Sequence, residues 1–299
     1  MTFEVIDPEC ARRYAVAVNR IVSRRPPPPR PTPHLGALLR EWRAARRLSQ
    51  LDLALDVGMS ARHLSHIETG KAQPSRDMIT RLADALEMPL RERNALLITA
   101  GYAPKYPQTA LGTPELAQVQ RAIELILGQQ EPYPAFLVNR YWDVLMANPA
   151  ASRINRFVMR GRTSAHPNMV RRFFDPNDLR AAVVNWEEVA GDLIHHLHDE
   201  VTATPTDTAA RALLDDVLSY PGVPTRWRVR ELDAAPPPLL TVVFRHDQQE
   251  LRFFSTITTF GTPRDVTLEE LRIECVFPAD DATAEICRAL ARDASRAAP

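Results

Sequence analysis

The chain has 299 residues, 45% hydrophobic and 25% charged, an ordinary globular composition that excludes a mainly disordered or fibrous protein. Lys plus Arg and Asp plus Glu balance at 37 each, but residues 1–110 hold 17 basic and 11 acidic residues, a net of +6 that leaves −6 for residues 111–299. No stretch approaches the roughly 20 apolar residues of a membrane span. The start, MTFEVIDPEC, lacks the basic and apolar regions of a signal peptide, so a soluble cytoplasmic protein without a membrane partner is expected. Cys10, Cys275 and Cys287 form an odd, widely spaced set, which suits a reducing compartment and offers no metal spacing. A basic first third on an acidic remainder points to an N-terminal surface for a polyanion, and the length suggests about two domains.

Residues 1–33 read as an N-terminal arm: a short helix around Cys10–Val22, then Pro26–Pro33, where six prolines in eight residues force an extended polyproline II spacer. Residues 34–106 read as a dense helical domain. Leu35, Leu38, Leu39 and Trp42 form one apolar stripe. Ser49 caps a second helix, Gln50–Val57, which Gly58 ends. Ser60 caps a third helix, Ala61–Glu68, which Gly70 ends. Pro74-Ser75 starts a fourth, with Met78, Ile79, Leu82 and Leu86 inward; Pro89 stops it, and Arg91–Ala100 forms a fifth. Two short helices joined by a glycine-containing turn make a helix-turn-helix, and Ala54 is small enough to let its helices approach.

The stretch LSQLDLALDVGMSARHLSHIETGKAQPSRDMITRLADAL resembles the XRE, or lambda-repressor-type, DNA-binding domain, through Leu48-Ser49-Gln50, Leu53-Ala54, Gly58, Ser60, Ile67-Glu68, Gly70, Pro74-Ser75 and Ala85-Leu86. Leu64 and Ile67, three apart, face the core, so the outer face of the third helix carries Ala61, Arg62, Ser65 and His66, with His63 at its edge. In such domains the N-terminal half of this helix enters the major groove of double-stranded DNA. Arg62 then suits guanine O6 and N7, Ala61 a thymine methyl, and His66 a base or a phosphate. Gln50 resembles the family's phosphate-contacting glutamine, which also braces the recognition helix. Ser49, Ser60, Lys71 and Ser75 or Arg76 are further phosphate candidates. Arg43 and Glu68 match the family's structural ion pair.

Residues 110–292 read as a second domain. A helix at Pro114–Gly128 precedes a hairpin with strand cores Phe136–Val138 and Trp142–Met146 and a turn at Asn139-Arg140. Helices follow at Asn148–Phe157, Val170–Phe174, Pro176–Asp199 and Asp207–Leu218. Strands Thr225–Leu232, Leu239–Arg245, Leu251–Phe260 and Leu271–Phe277 and a helix at Asp281–Arg292 close the chain. The expected fold is therefore multidomain: an all-α five-helix helix-turn-helix domain followed by an α+β, PAS-like domain with an antiparallel sheet. EPYPAFLVNRYWDVLMAN, LRFFSTITTFGTPRDVTLEELRIECVFPADDAT and the RERNALLITAGYAP junction resemble the MmyB-like regulators.

That resemblance implies a pocket between sheet and helices for a small apolar ligand of the fatty-acid class. Phe136, Trp142, Leu145, Phe174, Trp186, Phe244 and Phe254 are the wall candidates, and Arg140, Arg171 and Arg172 the candidates for a carboxylate head. Strand alternation lets at most one of Phe253 and Phe254 line a shared cavity. The run Ile194–Asp199, with three histidines, reads as a helix face ahead of a metal site. No catalytic constellation, phosphate loop or nucleophile pair is present, so no enzyme, cofactor or metal is expected. The reading is a homodimeric, ligand-responsive transcription regulator; the alternative keeps the DNA-binding domain and makes the second domain a dimerisation or protein-interaction module.

Overall fold

The structure, a computed structural model, describes residues 34–230 and 239–297; the expected arm, its polyproline segment and Cys10 lie outside them. Five helices come first: α1 (Leu35–Ala45), α2 (Gln50–Asp56), α3 (Ala61–Glu68), α4 (Arg76–Ala85) and α5 (Leu90–Thr99). Short polar side chains start three of them. Ser49 accepts from the Asp52 amide at 3.1 Å while Asp52 accepts from the Ser49 amide at 3.0 Å, a reciprocal capping box. Ser60 and Ser75 accept from the His63 and Met78 amides, both at 3.2 Å. Gly58 and Gly70 follow α2 and α3 at φ +70° and +74°, the left-handed conformation that glycine adopts without a Cβ clash. Leu39, Trp42, Leu53, Ala54, Leu64, Ile67, Ile79 and Leu82 close the core.

The second domain runs α6 (Ala117–Gln129), β1 (Ala135–Val138), β2 (Val144–Ala147), α7 (Pro149–Val158), α8 (Met169–Phe174), α9 (Trp186–Ala203), α10 (Thr208–Leu218), β3 (Val242–His246), β4 (Gln249–Thr258), α11 (Val266–Glu270), β5 (Arg272–Pro278) and α12 (Asp281–Ala297). The strands form one antiparallel sheet in the order β2-β1-β5-β4-β3. Period-two alternation separates its faces. Leu137, Ile273 and Cys275 pack on Ile123 and Leu127 of α6. The opposite face meets α7, α8 and α9, whose Ile154, Val170 and Ile194 share a core with Val138, Leu251 and Phe253. Among the described residues no helix is long and apolar enough to cross a membrane.

Four expectations change. The strand expected at Thr225–Leu232 is a 3-10 turn over Thr225–Arg228 as far as it is described; its single large apolar residue, Trp227, is buried against Gly191 of α9, and a turn suffices for that. The long helix at Pro176–Asp199 divides into a 3-10 turn, Leu179–Ala182, and α9. Between them the chain pairs with the sheet edge: Val183 bridges Phe244, and the Asn185 side chain bonds the Thr241 carbonyl and the Val243 amide at 2.8 and 3.0 Å. Trp142 lies in the hairpin turn at φ +66°, because Asn139 closes a wider turn by accepting the Tyr141 and Asp143 amides at 2.9 and 3.0 Å. Helix α11, unexpected, starts at Asp265, which accepts the Thr267 amide at 2.8 Å.

Gly36 on α1 faces the backbone of Glu68, and a Cβ there would lie 2.1 Å from the Glu68 carbonyl oxygen. Backbone cannot yield as a side-chain tip does. Gly36→Ala should therefore destabilise the helical domain by about 1–3 kcal/mol, the range for overpacking. Chemical denaturation monitored by helical circular dichroism checks this, with an unchanged midpoint as the contrary result.

Candidate nucleic-acid interface and ligand cavity

Helix α3 is fixed from behind. Leu64, Ile67 and Glu68 are buried, the last at 1% exposure. The Glu68 carboxylate is reached from two helices: Arg43 of α1 donates through Nε and Nη2 at 2.8 and 3.1 Å, and Gln50 of α2 through Nε2 at 2.7 Å. Arg43 also donates from Nη1 to the Leu48 carbonyl at 2.9 Å. The hydrogen bond to Glu68 raises the pKa of Arg43 against the opposing effect of burial. The two-pronged geometry matches guanidinium to carboxylate.

The other side of α3 is open. Arg62 and His63 are exposed, while Ala61, Ser65 and His66 are half-buried. Ser49, Ser60, Lys71, Ser75 and Arg76 are exposed around it, at the starts of α2, α3 and α4 and in the turn after α3. The His66 carbonyl holds that turn by accepting the Lys71 and Ala72 amides at 2.7 and 3.1 Å. The result is a ridge bearing arginine, histidine and lysine beside three serine caps.

In the second domain a cavity of about 280 Å³ lies between the sheet and helices α7, α8 and α9. Of the expected wall residues, Phe136, Trp142, Phe244, Phe254 and Arg172 border it. Phe253 borders it as well, and the two rings point to opposite faces as alternation requires: Phe253 packs beside Phe244, with Ser255 and Ile257 in its register, while the Phe254 ring stacks on Phe277 with centroids 5.5 Å apart. Five expected residues are placed elsewhere. Leu145 packs in the cluster on the α6 side of the sheet. Phe174 is fully buried edge-on against Trp186. Trp186 donates its indole N–H to the Phe173 carbonyl at 2.7 Å, and the Arg180 guanidinium covers its ring at 3.7 Å. Arg140 pairs with Asp207 at 2.5 Å and Glu270 at 3.4 Å, away from the cavity. Arg171 likewise pairs with Asp216 at 2.6 Å.

Sequence reasoning passed over the polar groups that do reach the cavity: Asn155, Asp192, His196, Ser255 and Glu274. Arg172, 8% exposed, is held by the Asn155 side chain and by Asp178 at 3.5 Å, and burial lowers its pKa. The histidine run disperses: His195 faces Asp199 at 3.6 Å, His196 faces Glu200 at 3.5 Å beside the cavity, and His198 meets the Trp227 carbonyl at 2.9 Å. Among the described residues no group of three or more His, Cys, Asp or Glu could hold a metal ion.

The two domains touch through charged groups. Arg91 of α5 grips Glu270 at 2.6 and 2.8 Å, and the Leu90 amide donates to Glu269 at 2.7 Å. Arg46 of α1 donates to the Ala203 carbonyl at the end of α9 at 3.1 Å. Glu270 and Asp207 in turn hold Arg140, which sits in the same hairpin turn as the cavity residue Trp142. Burial pushes the adjacent Tyr141 phenol up to about 12, and it donates to Asp207 at 3.2 Å.

Removing Arg43 leaves the Glu68 carboxylate buried with only Gln50 beside it. Arg43→Ala should cost about 3 kcal/mol, the lower end for breaking a buried pair because Arg43 keeps some solvent access. Gln50→Ala should cost about 1 kcal/mol. Paired denaturant titrations test the order, and a larger loss for Gln50→Ala would contradict it.

Comparison with known proteins agrees with this division. The family described as the MmyB-like transcription regulator ligand binding domain matches residues 119–290, and a helix-turn-helix domain matches residues 34–96. A 56-residue stretch, 19% of the chain, is 38% identical to the ImmF control region 10 kDa protein of Bacillus phage phi105, and spans 62% of that relative's length. The chain belongs to the MmyB-like transcription regulators, with a helix-turn-helix domain preceding the ligand-binding domain.

Proposed function

We propose that α3 reads an operator in the DNA major groove, and that the cavity holds a small, mainly apolar molecule of the fatty-acid kind whose binding changes DNA affinity. The observation that carries this reading is the two-sided character of α3: Leu64, Ile67 and Glu68 fix its back while Arg62 and His63 project from its front. Arg62 pairs with guanine, a contact worth about 1–3 kcal/mol of discrimination. Ala61 meets a thymine methyl, and Ser65 and His66 face the groove. Gln50, Ser49, Ser60, Lys71, Ser75 and Arg76 contact phosphates and set the register without reading sequence.

Such a protein works in the cytoplasm as a homodimer on a pseudo-palindromic site, its two copies of α3 about 34 Å apart to reach successive major grooves. A ligand shifts DNA affinity only through unequal affinity for two arrangements of the domains. Two elements give it a path. The β1–β2 turn bears Trp142 at the cavity and Arg140 in the inter-domain network, and α9 bears His196 at the cavity and ends at the carbonyl that Arg46 holds.

The test is fluorescence anisotropy on a set of operator variants. Gln50→Ala should weaken binding to every sequence alike, whereas Arg62→Ala should flatten the preference at one base position in each half-site. An equal loss on all sequences for Arg62→Ala removes its base-reading role.

A further inference from the structure

We propose that residues 10–33 are a second DNA-contacting element, an arginine-rich arm that lies on the phosphates beside the site met by α3. The inference rests on the reading of α3 as the DNA-facing helix and adds a contact to it. Residues 10–33 hold six arginines, Arg12, Arg13, Arg20, Arg24, Arg25 and Arg30, and no acidic residue. They lie outside the described residues, but the point where they join the helical domain does not. His34 caps α1, its Nδ1 accepting the Gly36 amide at 3.2 Å. A Cβ on Gly70 would lie 2.4 Å from its Nε2. Gly70 belongs to the turn after α3, and exposed Lys71 follows it. The arm therefore joins the fold beside the end of α3, next to a phosphate candidate. Arg46, which meets the second domain, sits past the opposite end of α1.

Charge favours DNA as the partner. Residues 34–110 hold 11 basic and 8 acidic residues, so the six arginines of the arm carry more net charge than the helical domain they precede. Much of that domain's own charge is engaged: Arg43 by Glu68, Arg91 by Glu270 and Arg93 by Asp84. Around α3 the exposed cations are Arg62, Lys71 and Arg76, and exposed Asp52 and Asp77 offset two of them. A duplex carries a dense row of phosphates, and each one neutralised releases counterions. The acidic second domain is the poorer partner, because Glu200, Asp207, Asp216 and Glu270 are already matched by Arg272, Arg140, Arg171 and Arg91. A polyproline II spacer advances about 3.1 Å per residue, which would carry Arg30 about 12 Å and Arg25 about 28 Å beyond His34. The first distance matches the width of the major groove, about 12 Å. Such a spacer is already extended and loses little freedom on binding. Guanidinium groups suit phosphate oxygens, two hydrogen bonds to each.

The test is fluorescence anisotropy of the full chain on a duplex selected from random DNA, between about 50 and 200 mM salt. In Arg24→Gln/Arg25→Gln/Arg30→Gln the slope of log affinity against log salt should flatten by about 2.7 per protomer, about 0.9 for each phosphate given up. Affinity at about 100 mM salt should fall at least tenfold, while the order of preference among operator variants stays the same. Arg24→Lys/Arg25→Lys/Arg30→Lys, which keeps the charge, should keep the slope. An unchanged slope in the glutamine variant would overturn the proposal and leave the role of α3 standing. Tighter DNA binding by that variant would also overturn it, by placing the arginines on acids of the second domain in competition with DNA. No salt-dependent DNA binding by the unaltered chain overturns both readings.

Discussion

One buried carboxylate organises the DNA-facing half of the molecule. Glu68 ends α3 out of contact with solvent, and a charge there is tolerable only when its oxygens are fully engaged. Arg43 and Gln50 engage them from α1 and α2, so three helices meet at one side chain. The same residue's backbone lies against Gly36, so α1 and α3 approach closely enough for this bonding. The far end of α3 is set by the Ser60 cap. With both ends fixed, the orientation of Arg62 and His63 follows from the core behind them.

The second domain divides its sheet unevenly. One face closes on α6 through Leu137, Ile273 and Cys275. The other leaves a chamber in front of Phe136, Phe253 and Glu274. The chamber's walls are tied to the helical domain by the Arg91–Glu270 ion pair and by the end of α9, whose Ala203 carbonyl Arg46 holds. A fold with a dry face and a hollow face can change on the hollow side while its strand pairing stays intact.

Local signals made the helical domain legible. Ser49, Ser60, Ser75, Gly58 and Gly70 act within one turn of chain, and the starts of α2, α3 and α4 and the ends of α2 and α3 followed from them to within a residue or two. Gly36 and His34 were passed over, because the need for glycine comes from α3, far along the chain, and a histidine cap, accepting the Gly36 amide at 3.2 Å, lacks the usual serine or aspartate signature. In the second domain the aromatic content was visible but its direction was not. Phe174 and Trp186 are as aromatic as Phe136 and Phe244, yet their surroundings satisfy them away from the cavity. Trp142 fitted a strand pattern until Asn139 closed a wider turn. Glu274 was missed because an arginine was sought for the ligand's head, and an acid in an apolar strand is read as an exposed position unless the strand is known to be central.

The most direct measurement is amide hydrogen exchange of the full chain, free and bound to a duplex fragment selected from random DNA. Slowed exchange is expected centred on Ser60–Ser65 and the start of α2, with the sheet edge at β2 unaffected. Unchanged exchange across α3, with protection confined to the second domain, would contradict it.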